Sequence, residues 1–225
     1  MKILFCGYRD WAEDILAQMT YCYDTDIDIV SARTQEEYAE LIKNEYDFVL
    51  FVGWSWIIPA EIVNSKVCLC VHPSPLPKYR GGSPIQNQII NGETKSAVTL
   101  FIMNEKIDDG VIVRQSEYSL EGDLDEIFDS MKAATFDAIT DLIEEYRKIG
   151  KMVFDEEHTT KQDLSKKSYF KRRTPEQSEI TVEEIQNSTP EQLYNKIRAL
   201  QDPYPNAFIR CKDGKKLYLT KAKPE

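Results

Sequence analysis

Apolar residues along this chain fall in two rhythms. Short, nearly continuous apolar runs alternate with stretches whose apolar positions recur every three or four residues, the signatures of buried strands and amphipathic helices. Lys2–Gly7, Ile27–Ser31, Asp47–Gly53 and Val67–Val71 read as strands. Between them the pattern predicts a helix over about 10–19 opened by Asp10, one from Thr34 to about Lys43, and a short one over Pro59–Asn64. Thr34 followed by Glu37 predicts a capping box. Strand and helix alternating at this spacing predict a parallel, doubly wound sheet. Further on, Ile85–Ile90 reads as a helix, and Ala97–Met103 and Val111–Tyr118 as strands around an Asp108-Asp109-Gly110 turn. Asp123 opens a long helix to Ile149, whose Leu124, Ile127, Phe128, Met131, Ile139, Leu142 and Ile143 share one face. Gly150 stops it. That stripe is core packing.

The pattern changes after the long helix. Lys151–Ser168 is polar and charged. A helix over Pro190–Leu200 with Thr189 as its N-cap follows, then a proline-rich turn at 202–208. A hairpin closes the chain: Ala207–Cys211, a turn at Lys212-Asp213-Gly214, and Lys216–Lys221. The expected class is therefore α/β: a Rossmann-like, mostly parallel sheet with helices on both faces, plus a short C-terminal helix and β-hairpin subdomain. The expected division is a main domain over 1–155, a linker over 156–175 and a small subdomain over 176–225.

The net charge of −10 argues against tight nucleic-acid binding, which rests on neutralising phosphates. A local basic stretch from Lys161 to Arg173 reads either as a solvated linker or as a phosphate-facing segment. No apolar run approaches the roughly 20 residues of a membrane span, and the N-terminus reads as a first strand, not a leader. The five cysteines are odd in number, lack metal-ligand spacing and sit mostly in apolar strands, which fits reduced thiols in the cytoplasm and no metal site. The first strand–helix turn has a single glycine, Gly7, not G-x-G-x-x-G, which argues against a dinucleotide.

Candidate chemistry concentrates between Cys70 and Gly110. His72, one of two histidines, ends a buried strand and opens a rigid loop rich in proline and glycine: His72-Pro73-Ser74-Pro75-Leu76-Pro77-Lys78-Tyr79-Arg80-Gly81-Gly82-Ser83-Pro84. Ligands of open α/β sheets bind beyond the carboxyl ends of strands, which is where His72 is placed.

His-Pro-Ser-x-Leu-Pro-x-Tyr-Arg-Gly-x-x-Pro-Ile-Gln, followed by Asn91-Gly92-Glu93-Thr94, Val98-Thr99-Leu100 and Asp108-x-Gly110, resembles the folate-dependent formyltransferase family over most of the chain. Phe170-Lys171-Arg172-Arg173-Thr174-Pro175-Glu176 and Asp202-Pro203-Tyr204-Pro205-Asn206-Ala207-Phe208 resemble its amino-sugar branch, which includes enzymes acting on UDP-4-amino-4-deoxy-L-arabinose. The resemblance implies 10-formyltetrahydrofolate as formyl donor and an amine as acceptor. It implies His72 and Asp108 as the catalytic pair, with Asp108 also touching the folate, and a pterin loop containing Trp54, Trp56, Ile57 and Ile58. The same two tryptophans read equally as packing at the sheet's end. Lys78, Tyr79, Arg80, Gly81, Arg172 and Arg173 are the implied acceptor contacts, the cations among them for a diphosphate. The expected acceptor is a nucleotide-linked amino sugar, a 4-amino-4,6-dideoxyhexose derivative used in glycan synthesis, because the chain is acidic and only residues 176–225 follow the linker, whereas methionyl-tRNA enzymes carry a basic surface and a full C-terminal barrel. The C-terminal hairpin offers a homodimer contact.

One position departs from the family. Cys70 stands where the family has the Asn of its Asn-x-His triplet, and a thiol is a weak donor. Three readings follow: a slower or differently tuned transferase in which backbone or His72 supplies the oxyanion donor, a reactive Cys70, or a folate-binding site without transfer. A methionyl-tRNA-type transferase and a hydrolase passing formyl to water stay open as alternatives.

Overall fold

The computed structural model describes residues 1–23 and 26–225. Its central sheet is built from β1 (Lys2–Cys6), β2 (Asp28–Ala32), β3 (Phe48–Val52), β4 (Cys68–His72), β6 (Lys95–Ile102) and β7 (Ile112–Ser119), in the order β2–β1–β3–β4–β6–β7. The first four strands pair in parallel, as the helical crossovers α1 (Asp10–Tyr23), α2 (Gln35–Leu41) and α3 (Ala60–Ser65) require. The last two are antiparallel: β6 runs against β4, and the short connection at 103–111 makes β6 and β7 a hairpin.

Period-two alternation assigns each strand residue to a face. Ile3, Phe5, Phe48, Leu50, Val52, Leu69 and Val71 pack with α1 and α5 (Leu124–Ile149) on one side. Leu4, Cys6, Val49, Phe51 and Cys68 pack with α2 and α3 on the other. Asp123 opens the long α5 as expected, forming with Glu126 a capping box that was not predicted, and the helix ends at Gly150 with φ 75°. At α2 the expected box is only half formed. Thr34 accepts from Glu37 N, but the Glu37 carboxylate reaches Arg33 N at 2.6 Å and so caps one residue earlier.

The polar segment after α5 is fastened along much of its length. Thr160 exchanges two 2.8 Å backbone bonds with Ile112. The two-residue strand β8 (Tyr169–Phe170) pairs in parallel with β5 (Arg80–Gly81), immediately after the histidine loop. Neither strand is long enough to leave a periodic signal. Beyond them lie α6 (Val182–Asn187), α7 (Pro190–Ala199) and the hairpin β9 (Ala207–Arg210) and β10 (Lys216–Leu219). Helix α7 docks against α4 (Pro84–Ile90), and Arg198 donates from the buried side of α7 to the Leu120 and Gly122 carbonyls. No helix among the described residues is long and apolar enough to cross a membrane.

Candidate active site

His72 lies at the carboxyl end of β4, on the same strand face as Cys70, two residues before it. Its neighbour across the antiparallel pair is Thr99 of β6. Thr99 Oγ1 donates to the Ser74 carbonyl at 2.7 Å and accepts from Leu76 N and Gln115 Nε2. Ser74 Oγ donates to the Lys78 carbonyl, and Gln88 Nε2 and Tyr118 Oη both reach the Pro73 carbonyl. The proline loop is thus held from three elements, β6, β7 and the helix over Pro84–Ile90, and its rigidity is a property of buried hydrogen bonds as much as of proline.

That loop returns the Tyr79 carbonyl to the imidazole. His72 Nε2 is 2.8 Å from Tyr79 O, and Nδ1 is 3.6 Å from Asp108 Oδ2. A carbonyl oxygen only accepts, so Nε2 carries a proton and the neutral ring has its lone pair on Nδ1, facing the carboxylate. The opposite tautomer would set two lone pairs against each other at Tyr79. Asp108 Oδ2 also accepts 2.7 Å from Gly81 N. Tyr79, Ser83 and Asp108 all have φ between 52° and 57°, so three non-glycine residues in the left-handed region surround one site. Such strain persists where surroundings over-determine it. Gly110 completes the turn: a Cβ there would lie 1.6 Å from the Ile102 carbonyl.

Cys70 is half-buried between two apolar clusters, among Leu76, Phe101, Ile112 and Met103 on one side and Ile58, Trp54 and Cys68 on the other. Its thiol has one weak contact, 3.8 Å to the Val71 carbonyl. Burial, then the neighbouring Asp108 and Cys68, push its pKa well above the ordinary thiol range. A thiol held neutral in apolar surroundings is a poor nucleophile, which speaks against a reactive Cys70.

The other candidate residues divide sharply. Arg80 is buried and spent on structure: its guanidinium pairs with Asp109 and donates twice to Gln162 Oε1. Tyr79 is buried, stacked on Phe170 with ring centroids 5.0 Å apart, and its phenol is engaged, donating to Glu93 at 2.9 Å. Arg173 is half-buried, donates to the Gln177 carbonyl and leaves Nε without a partner. Desolvation lowers its pKa. These three, expected to touch the acceptor, hold the loop and the 170s segment in place. Lys78 and Arg172 are exposed and have no carboxylate partner among the described residues. Arg172 packs its backbone on Gly82, where a Cβ would come within 2.4 Å of it.

In the expected pterin loop, Ile58 is core and Ile57 is 86% exposed. Trp54 packs on Tyr38 and Phe51, with its buried Nε1 lacking a partner. Trp56 sits 4.6 Å from Trp54 and 4.8 Å from Tyr8. The loop therefore combines a packed tryptophan with a surface-facing edge of Trp56 and Ile57, and Trp54 and Ile58 share an apolar cluster with Cys70.

Gln162 is a site residue that sequence reasoning missed. Its amide donates to the Asp108 carbonyl at 2.9 Å and the Gly110 carbonyl at 2.7 Å. A single glutamine in a polar segment carries no signal of that kind.

Residues 12–142, more than half the chain, match the formyl transferase family. A methionyl-tRNA formyltransferase of Sulfurimonas denitrificans is 31% identical over 179 residues, covering 79% of this chain and 55% of that protein. The chain spans little more than half the length of the curated relatives it matches. A methionyl-tRNA formyltransferase structure from Clostridium thermocellum superimposes with a TM-score of 0.77 at 28% identity, over 97% of this chain and 96% of that one. A 4-N formyltransferase structure from Francisella tularensis shares the fold, with a TM-score of 0.76 at 21% identity over 100% and 98% of the two chains. The matched segment spans more than half of the chain, including His72 and Asp108, and the chain belongs to the formyl transferase family.

Proposed function

We propose that this protein moves a formyl group from N10 of 10-formyltetrahydrofolate to the amine of an acceptor. The observation that carries the reading is the imidazole of His72, with Nε2–H committed to the Tyr79 carbonyl and Nδ1 open toward Asp108. The amine nitrogen attacks the formyl carbon, forming a C–N bond, and the carbonyl electrons collect on oxygen. Nδ1 takes the proton released by the amine, and the resulting imidazolium is stabilised by Asp108. The same proton then passes to N10 as the C–N10 bond breaks and the carbonyl re-forms. With Cys70 in place of an amide donor, the protonated Nδ1–H is the side-chain group best placed to stabilise the oxyanion, a contribution usually among the largest in acyl transfer.

The acceptor proposed is a nucleotide-linked amino sugar. The acidic chain disfavours a polyanionic nucleic acid, while the exposed Lys78, and Arg172 packed on Gly82, are cations free for a diphosphate. Arg80 is withdrawn from that role because its guanidinium is engaged by Asp109 and Gln162, and Arg173 because it is half-buried. A second reading, methionyl-tRNA, is favoured by the relatives' names at 31–33% identity. A formyl-transfer assay offering UDP- and dTDP-linked 4-amino sugars beside charged initiator tRNA decides between them. Product with a sugar nucleotide and none with tRNA is expected, and the reverse overturns the acceptor assignment. Folate turnover without any amine would make the protein a hydrolase. Failure of 5-formyltetrahydrofolate to bind in a calorimetric titration would remove the folate reading itself.

A further inference from the structure

We infer that Gln162 is a positioning residue for the reaction, setting the Asp108 carboxylate against the open Nδ1 of His72. The inference rests on the proposed pairing of His72 and Asp108 as the proton-handling groups. Gln162 uses its whole side-chain amide at one place. Nε2 donates to the carbonyls of Asp108 and Gly110, at 2.9 and 2.7 Å, and Oε1 accepts from Arg80 Nε at 3.1 Å and Nη2 at 2.6 Å. The reversed amide would oppose oxygen to two carbonyls and NH2 to a guanidinium, so the orientation is fixed by chemistry.

The two halves of this contact meet on the same carboxylate. Through its donors Gln162 holds both ends of the Asp108-Asp109-Gly110 turn, whose first residue sits at φ 52° and needs external support. Through its acceptor it holds Arg80, which pairs with Asp109 and is followed by Gly81, whose N–H binds Asp108 Oδ2. Asp108 is thereby fixed from its backbone and from its carboxylate by one side chain that touches neither His72 nor reacting atoms. The residue type matters. A glutamate at 162 would keep its attraction to Arg80 but lose both donor bonds, and would place a negative charge beside Asp108 and Asp109. The segment carrying Gln162 is anchored separately, by the Thr160–Ile112 pair and by His158, which bonds Asp155 at 2.6 Å and lies 3.3 Å from Glu145.

The test uses the fact that the chain has two histidines. With 15N-labelled histidine at fixed pH, His72 and His158 give separate ring signals, and His158 reports whether the anchored segment stays docked. Gln162→Glu, Gln162→Asn and Asp108→Asn are compared with the full wild-type chain, with 5-formyltetrahydrofolate as the binding probe. The expected result is that Gln162→Glu and Gln162→Asn move the His72 Nδ1 signal in the same direction as Asp108→Asn. They should add no shift on top of Asp108→Asn, leave His158 unmoved, and lower kcat by ~10- to 100-fold with folate affinity unchanged, the scale of a displaced reacting group. A His72 signal at its wild-type position in Gln162→Glu overturns the inference. So does joint movement of both histidine signals, which would make Gln162 an anchor of the segment only. The NMR readout needs no acceptor. The expected shifts in a protein that formylates no amine would uphold the positioning role and sink the transfer reading.

Discussion

Replacing Cys70 by Asn, the residue that the resemblance implies at this position, tests how much one oxyanion donor would contribute here. Two effects oppose each other, and the structure sets their sizes. The thiol makes only a 3.8 Å contact to the Val71 carbonyl and otherwise lies against Leu76, Phe101, Ile112 and Met103. A carboxamide of similar size placed there loses solvation, and with its hydrogen bonds unmade this costs ~1–3 kcal/mol. For a chain of this length that is a fall in Tm of ~2–12 °C, at ~2–4 °C per kcal/mol. Against this, the amide reaches toward the site from the same strand face as His72, and a single oxyanion donor is worth ~10²–10³ in rate, or about 2.7–4 kcal/mol of barrier. The expected variant is therefore less stable and faster. The assay is single-turnover formyl transfer under saturating donor and acceptor, paired with a thermal melt and a 5-formyltetrahydrofolate titration. A folded Cys70→Asn protein that binds folate as the wild type does, yet transfers no faster, would refute the lost-donor reasoning and assign the oxyanion to another group.

Arg80 and Arg172 should separate structure from acceptor binding. Arg80→Met leaves the mostly buried Asp109 with only the exposed Lys106, 3.9 Å away, and should destabilise the fold by ~3 kcal/mol, read in a denaturant melt. Arg172→Ala should leave the melt unchanged and raise the acceptor KM several-fold. Gly110→Ala forces a Cβ to within 1.6 Å of the Ile102 carbonyl, and should lose at least ~3 kcal/mol or fail to accumulate as folded protein. Stability should fall in alkali. Burial pushes the Cys68 thiol and the Tyr204 phenol up to about 12, from ordinary values of 9 and 10. The unfolded chain releases those protons first, so their contribution is intact below pH 9 and is lost as pH rises from 9 to 12. Flat stability across that window would show that neither group is held neutral by the fold.

The strands, the long helix and the carboxyl-end placement of His72 were legible because each is a local pattern repeated over many residues. Asp123 and Gly150 marked α5 at both ends. The antiparallel turn of β6 and β7 was not read, since an apolar run looks the same in either direction. Cations in the loop were legible as residue types only. Nothing near Arg80 in sequence announces Asp109 and Gln162 as its partners, 29 and 82 positions away. The same holds for Tyr79, whose backbone carbonyl, not its phenol, touches His72. Ile58 and Ile57 are adjacent and apolar, yet one is core and the other almost wholly exposed. A loop without period gives no rule for which of two neighbours turns inward.

The fastening of the histidine loop and the Asp108 turn by the segment that carries Gln162, Ser168 and Phe170 also orders events in time. These residues accept from or donate to Tyr79, Arg80, Gly82, Asp108 and Gly110, and Gln162 follows Asp108 by 54 positions. At about 5–20 residues per second, the ribosome exposes Asp108 some 3–11 s before Gln162, by the same spacing of 54 residues, and His72 earlier still. A growing chain therefore has the sheet, the imidazole and the carboxylate while their alignment is still missing. The stretch that matches the formyl transferase family, 12–142, ends before that clamp begins. The site is thus closed from downstream, by residues made after the strands that carry His72 and Asp108.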